Sequence, residues 1–177
     1  MKRQEDMPDQ EGEMRTAIRE VDGDADIKKV EQLADEIWTE HYTPIIGTDQ
    51  VRYMLEKFQS YKAISQQISE GMTYFLMYFD EEAVGYMASR PDNEDLFLSK
   101  IYVVSRMRGK GIGGHAMNFL STLARERHYS HLSLTVNKNN ISSIRAYEKL
   151  GFVNLGPVET DIGNGFIMDD YYMKKSL

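Results

Sequence analysis

Apolar residues recur along the chain with two periods, and each change of period marks a new element. Ahead of Arg15 the positions are polar and mostly acidic, with Pro8 and Gly12, so residues 1–14 read as a flexible acidic tail outside the core. A short strand near residues 16–19 and a turn at Asp22-Gly23-Asp24 lead into a helix. Its Ile27, Val30, Leu33, Ala34, Ile37 and Trp38 make one stripe at helical spacing. Pro44 and Gly47 are expected to end that helix, and Thr48 to cap a second one with Val51, Met54, Leu55 and Phe58 on its apolar face. Two aromatic-rich strands at 72–79 and 83–89, joined by Asp80-Glu81-Glu82, read as a hairpin, and Pro91-Asp92-Asn93 turns the chain again.

Residues 96–104 are apolar at nearly every position except Ser99 and Lys100, the pattern of a central strand covered on both faces. A glycine-rich loop at 105–114 follows. The next helix runs to about Arg127, with Ile112, Ala116, Met117, Leu120, Leu123 and Ala124 on one side, and the alternation Leu132, Leu134, Val136 marks another strand. Strand, loop, helix and strand make a βαβ unit. Asn140 suits the N-cap of a short helix through Ile141, Ile144, Tyr147 and Leu150, with Gly151 as the left-handed residue at its end. Gly163-Asn164-Gly165 then closes a hairpin between 152–159 and 166–173.

At 177 residues and 41% hydrophobic, the chain is long enough for one core, which the pattern places in a single domain at 15–177. The absence of cysteine removes thiolate nucleophiles, cysteine-rich zinc sites and disulfides. No metal is expected, since His128 and His131 have no third ligand at recognisable spacing. No run approaches the roughly 18 apolar residues of a membrane span, and the start lacks the apolar stretch of a secretion signal, so a cytoplasmic protein without a membrane partner is expected. A net charge of −7 argues against general nucleic-acid binding.

Against that acidic balance, residues 106–114 carry four glycines and three cations, and no acidic residue lies between Asp95 and Glu126. Glycines let a ligand approach the backbone, and amides at a helix N-terminus favour an anion. Lys110 is followed by Gly111 rather than Ser or Thr, so a nucleotide-hydrolysing loop is unsupported. Gly109-x-Gly111-x-x-Gly114 matches a dinucleotide fingerprint, but the acidic partner about twenty residues on is missing near Asn137. A nicotinamide oxidoreductase stays as one reading.

Arg108-x-x-Gly111-x-Gly113 after a central strand resembles the pyrophosphate signature of the GNAT N-acetyltransferases. A second segment agrees: Val136-Asn137-x-x-Asn140-x-x-Ser143-Ile144-x-x-Tyr147-x-x-x-Gly151-Phe152 resembles that family's next strand, helix and tyrosine. The resemblance implies an α/β (α+β) fold, a mixed and mostly antiparallel sheet of about seven strands with helices on both faces. It implies acetyl-CoA as cosubstrate and a primary amine of a small molecule as acceptor. The layout is most similar to bacterial polyamine acetyltransferases, which favours a polyamine.

By the same resemblance the backbone of Ile101, Tyr102 and Val103 would hold the pantetheine arm, with the Val103 amide polarising the thioester carbonyl. Arg108, Gly109, Lys110, Gly111, Ile112, Gly113 and Gly114 would wrap the pyrophosphate, Asn137 and Asn140 would assist, and Tyr147 would be the general acid. Taken alone, these residues also suit core packing, turns and a helix cap. Trp38, Glu40, His41 and Tyr42 fall where the family shapes its acceptor pocket, and aromatics beside carboxylates suit a cationic amine. Glu94 and Asp95 stand only at the start of the central strand, so Glu36, Glu40 or a water chain are the candidates for the base. A protein or peptide acetyltransferase, acting on an N-terminus or a lysine, and a non-catalytic acyl-CoA sensor are the alternatives. Tyr171 and Tyr172 on the closing strand suggest a homodimer.

Overall fold

Successive side chains of a strand point to opposite faces, so strands that are apolar at every position need cover on both. The computed structural model, which describes residues 4–6 and 16–177, supplies it. The elements are β1 Gln4–Asp6, β2 Thr16–Glu20, α1 Asp24–Ile46, α2 Thr48–Gln59, α3 Tyr61–Ser69, β3 Thr73–Phe79, β4 Glu82–Asp92, β5 Asp95–Val103, α4 Ile112–Glu126, β6 His131–Asn137, α5 Ile141–Lys149, β7 Val153–Gly163 and β8 Phe166–Ser176. One sheet holds all the strands in the order β1-β2-β3-β4-β5-β6-β8-β7. Among the described strands only β5 and β6 run parallel. This is the expected mixed, mostly antiparallel sheet, with β1 added to about seven strands.

Neighbouring residues of β3 show both faces in use. The Tyr74 hydroxyl accepts from Gln59 of α2 at 3.2 Å and donates to Gln67 of α3 at 2.6 Å, whereas Phe75 meets Phe119 of α4 edge-on, 5.3 Å between centroids. Helices α2 and α3 therefore cover one face and α4 the other. Gln59 is 1% exposed, and its Oε1 accepts from the Tyr86 hydroxyl at 2.6 Å, so this polar group sits in the core with its bonds made. The two-residue turn Asn164-Gly165, both at positive φ, closes the last hairpin.

Four expectations change. Helix α1 runs through Pro44 to Ile46, because in the last turn the ring removes only one hydrogen bond before Gly47 ends the helix at φ +85°. Helix α3 was not expected: Ile64 is its one fully buried side chain, too thin a stripe to read, and the Ser60 hydroxyl caps it at the Ala63 amide, 3.2 Å. Part of the segment assigned to a tail pairs with β2, Gln4 opposite Arg19 and Asp6 opposite Ala17, while 1–3 and 7–14 lie outside the described residues. Strand β8 lies between β6 and β7, so it offers no free edge to a second subunit. The Tyr172 hydroxyl donates to Asp95 at 3.4 Å, and Tyr171 lies under the Lys138 ammonium.

The site is opened by a local defect in pairing. Strand β5 stays on β4 along its length, but Ala88 faces Lys100 and Ser89 faces Leu98, so Ser99 is a bulged residue. Beside that bulge β5 parts from β6. Their parallel pairing covers only residues 95–98 against 131–134, after which β6 continues on β8 as far as Asn137 opposite Asp170.

Candidate active site

The gap between the strands is a cavity of about 420 Å³. Its strand walls are Ser99 to Val103 on one side and Leu134 to Asn137 on the other. Helix α1 adds Trp38, His41 and Tyr42, α2 adds Met54 and Phe58, α5 adds Ser143 and Tyr147, and β8 adds Met168 and Asp170. The Val104 amide donates to Val84 on the β4 side at 2.9 Å, so by strand alternation the Val103 amide faces the cavity. On that same edge the Val103 carbonyl accepts from Arg108 Nε at 3.2 Å, which places Arg108 at the mouth.

Aromatic side chains of α1, β5 and α5 line the cavity. The Tyr42 and Tyr102 hydroxyls are 3.0 Å apart, and Trp38 packs edge-on against both rings at 5.6 and 5.5 Å. Burial pushes the Tyr42, Tyr102 and Tyr147 phenols above their ordinary value, so each stays protonated at neutral pH. The Tyr147 ring rests on Phe152 at 5.7 Å, and among the described residues its hydroxyl has no hydrogen-bond partner. Burial first, and then the Arg108 charge, lower the His41 pKa, leaving a neutral imidazole.

Asn140 occupies the N-cap position of α5 without capping it. It is 5% exposed; its side chain is turned toward His41 and Tyr42 and accepts from Ser142 Oγ at 3.4 Å. Asn137 lines the cavity and also accepts from the Asn139 amide at 2.9 Å, an Asx turn, so its two readings coexist.

The glycine loop lies outside the cavity, beyond Arg108. Gly109 and Gly111 have φ of +76° and +80°, and Gly111 begins α4 with no side-chain cap, leaving the first amides of that helix open. Among the described residues, nothing beyond the chain neighbours and the backbone of α4 itself lies within 4 Å of a Cβ built on Gly113 or Gly114. Ile112 is core, 1% exposed, and can serve the loop only through its backbone. Lys110 lies over the Phe79 ring at 5.4 Å.

Glu40 does not join the acceptor wall: it is exposed and accepts from Ser105 Oγ at 3.0 Å. Glu36 is likewise exposed and paired with Arg106 at 3.1 Å. A carboxylate that sequence reasoning missed stands in the wall instead. Asp170 is 6% exposed, and burial, with Asp169 beside it, pushes its pKa up to about 6. Lys100, also missed, is 8% exposed in the β5 wall. Among the described residues no cluster of three or more His, Asp or Glu could hold a metal, and no helix is long and apolar enough to cross a membrane.

The Acetyltransferase (GNAT) family matches residues 30–152. An uncharacterized N-acetyltransferase of Bacillus subtilis, YobR, is 27% identical over 124 residues, 70% of this chain and 48% of its own. The chain thus spans about half the length of that relative. Streptothricin acetyltransferase A of the same organism is 28% identical over 120 residues, covering 65% of this chain and 69% of its own. In fold, the chain resembles the PaiA N-acetyltransferase of Thermoplasma acidophilum, solved in complex with coenzyme A. The TM-score is 0.77 at 17% identity, with 92% of this chain and 99% of that one covered.

Proposed function

The chain belongs to the GNAT acetyltransferase family, and on that premise we propose that it moves acetyl from acetyl-CoA to the primary amine of a small molecule. The observation that carries the reading is the parting of β5 from β6. Residues 101–103 are paired with β4 alone, so on their other edge the backbone groups, apart from the Val103 carbonyl that accepts from Arg108, are open to bond an extended amide-bearing arm as an added strand would. The pyrophosphate then falls to Arg108 and the open amides of the 109–114 loop at the start of α4.

Acetyl-CoA supplies an acyl group already activated by its thiolate leaving group. The Val103 amide stabilises charge on the carbonyl oxygen as the amine nitrogen bonds to the carbonyl carbon and the carbon–sulfur bond breaks. Tyr147, neutral and with a free hydroxyl, donates a proton to the departing sulfur and regains one from the nitrogen, which sheds it on becoming the amide. The acceptor ammonium, with an ordinary pKa of roughly 10.4, must first lose a proton. Asp170 takes it, ionised at pH 7 yet more basic than an exposed carboxylate.

The test is thiol release from acetyl-CoA across polyamines, amino acids, lysine peptides, N-terminal peptides and aminoglycosides. Release with one amine class is expected. Tyr147→Phe should lower kcat about 100-fold while the CoA dissociation constant holds. CoA binding with no release from any amine would instead favour an acyl-CoA-binding role.

A further inference from the structure

Lys100 has surroundings that the transfer step does not use. Its ammonium donates to Ser99 Oγ at 3.0 Å and Gln67 Oε1 at 3.4 Å, with Met72 Sδ at 3.9 Å and the Tyr74 ring centroid at 5.5 Å. Among the described residues no ion pair includes it. Its donors are met but its charge is not, and Gln67 Oε1 is already shared with the Tyr74 hydroxyl. Burial, and then the like charge of Arg90, hold this ammonium down to about 8. A buried cation in this state is costly until an anion reaches it.

Lys100 and its partner Ser99 both line the cavity, which is apolar in part, at Ile46, Met54, Phe58, Phe97 and Met168; Arg108 is its other cation, and among the described residues Asp170 is its one carboxylate. Asp170 lies on β8, two strand positions from β5, at least about 10 Å across the sheet. A small molecule can therefore meet a carboxylate at one end, apolar walls along its body and an uncompensated cation at the other.

We propose that Lys100 docks an anionic group of the acceptor, so that the preferred substrate is an amine bearing a carboxylate at the far end of a short apolar segment. This rests on the acetyl-transfer reading and names its substrate class. The same lysine works against a polyamine, whose second ammonium would meet a like charge away from water.

Three amines of one chain length test it: ε-aminocaproate, hexylamine and cadaverine, whose far ends are carboxylate, methyl and ammonium. At neutral pH, kcat/KM should be about tenfold higher for ε-aminocaproate than for hexylamine, with cadaverine lowest. In Lys100→Met, close in volume, and in Lys100→Gln that ratio should fall to about one. Equal rates in the wild type, or a ratio that both variants preserve, would overturn the proposal. A second readout needs no transfer: caproate alone should raise the Tm of the wild type and of neither variant. If no amine releases thiol, the transferase reading fails, while the caproate shift still decides the anion site. If caproate leaves the wild-type Tm unmoved, the anion site fails even though amines are acetylated.

Discussion

Asp170 joins catalysis and stability in one side chain, and the two can be separated by pH. Its folded pKa of about 6 lies above the ordinary 3.8, so between those values the folded protein holds a proton that the unfolded chain has lost. Stability therefore falls as pH rises through that window, and above it the buried charge costs on the order of 2 kcal/mol. Asp170→Asn should raise the Tm at pH 7, change it little below pH 4, and lower kcat about 100-fold. In the wild type kcat/KM for the amine should climb through about pH 6, and that limb should vanish in the variant. Thermal melts at the two pH values and a rate profile check both halves; a variant that melts no higher at pH 7 would show that burial does not strain this carboxylate. The sequence pointed to Tyr147 and Arg108 because motif spacing carries them. It could not point to Asp170, which sits among polar neighbours in the last strand, nor to Lys100, which reads as a polar exception in a buried one.

Elements were more legible than their ends. The βαβ unit, both hairpins and the α1 stripe follow from period, and the observed boundaries differ by a few residues. Helix α3 and the turn of α1 beyond Pro44 did not show, because helix ends and thin stripes depend on packing. The loop before α4 allows a sharper test. Gly111 has φ +80°, so Gly111→Ala strains the backbone by about 1 kcal/mol and should lower the Tm. Gly113 lies inside α4, and among the described residues nothing outside that helix's own backbone is near its absent Cβ, so Gly113→Ala should stabilise the helix by roughly 0.5 to 1 kcal/mol. If that open space is where the pyrophosphate approaches the backbone, CoA should bind about tenfold more weakly to this more stable protein. Titration calorimetry beside a melt separates the two effects; unchanged CoA affinity would move the pyrophosphate elsewhere.

At the scale of the molecule, strand order brings together what the chain keeps apart. Because β8 returns beside β6, Asp170 reaches a cavity whose α1 and α2 walls come from residues more than a hundred positions earlier. The return is secured outside the cavity. The Tyr53 hydroxyl donates to the Ile162 carbonyl at 2.7 Å, Lys57 donates to the same oxygen, and the Tyr53 ring meets Phe166 at 5.3 Å. These contacts tie the tip of the last hairpin to α2, and α2 and β8 both wall the apolar part of the cavity. Tyr53→Phe removes one of the two donors while keeping the ring, at a cost of about 1 kcal/mol. Loosening this tie should raise the KM for the amine several-fold and leave CoA affinity near its wild-type value, since Arg108 and the start of α4 take no part in the tie. Steady-state kinetics on the amine, set beside CoA titration, decide it; equal losses in both would mean that the hairpin supports the whole cleft rather than its acceptor end.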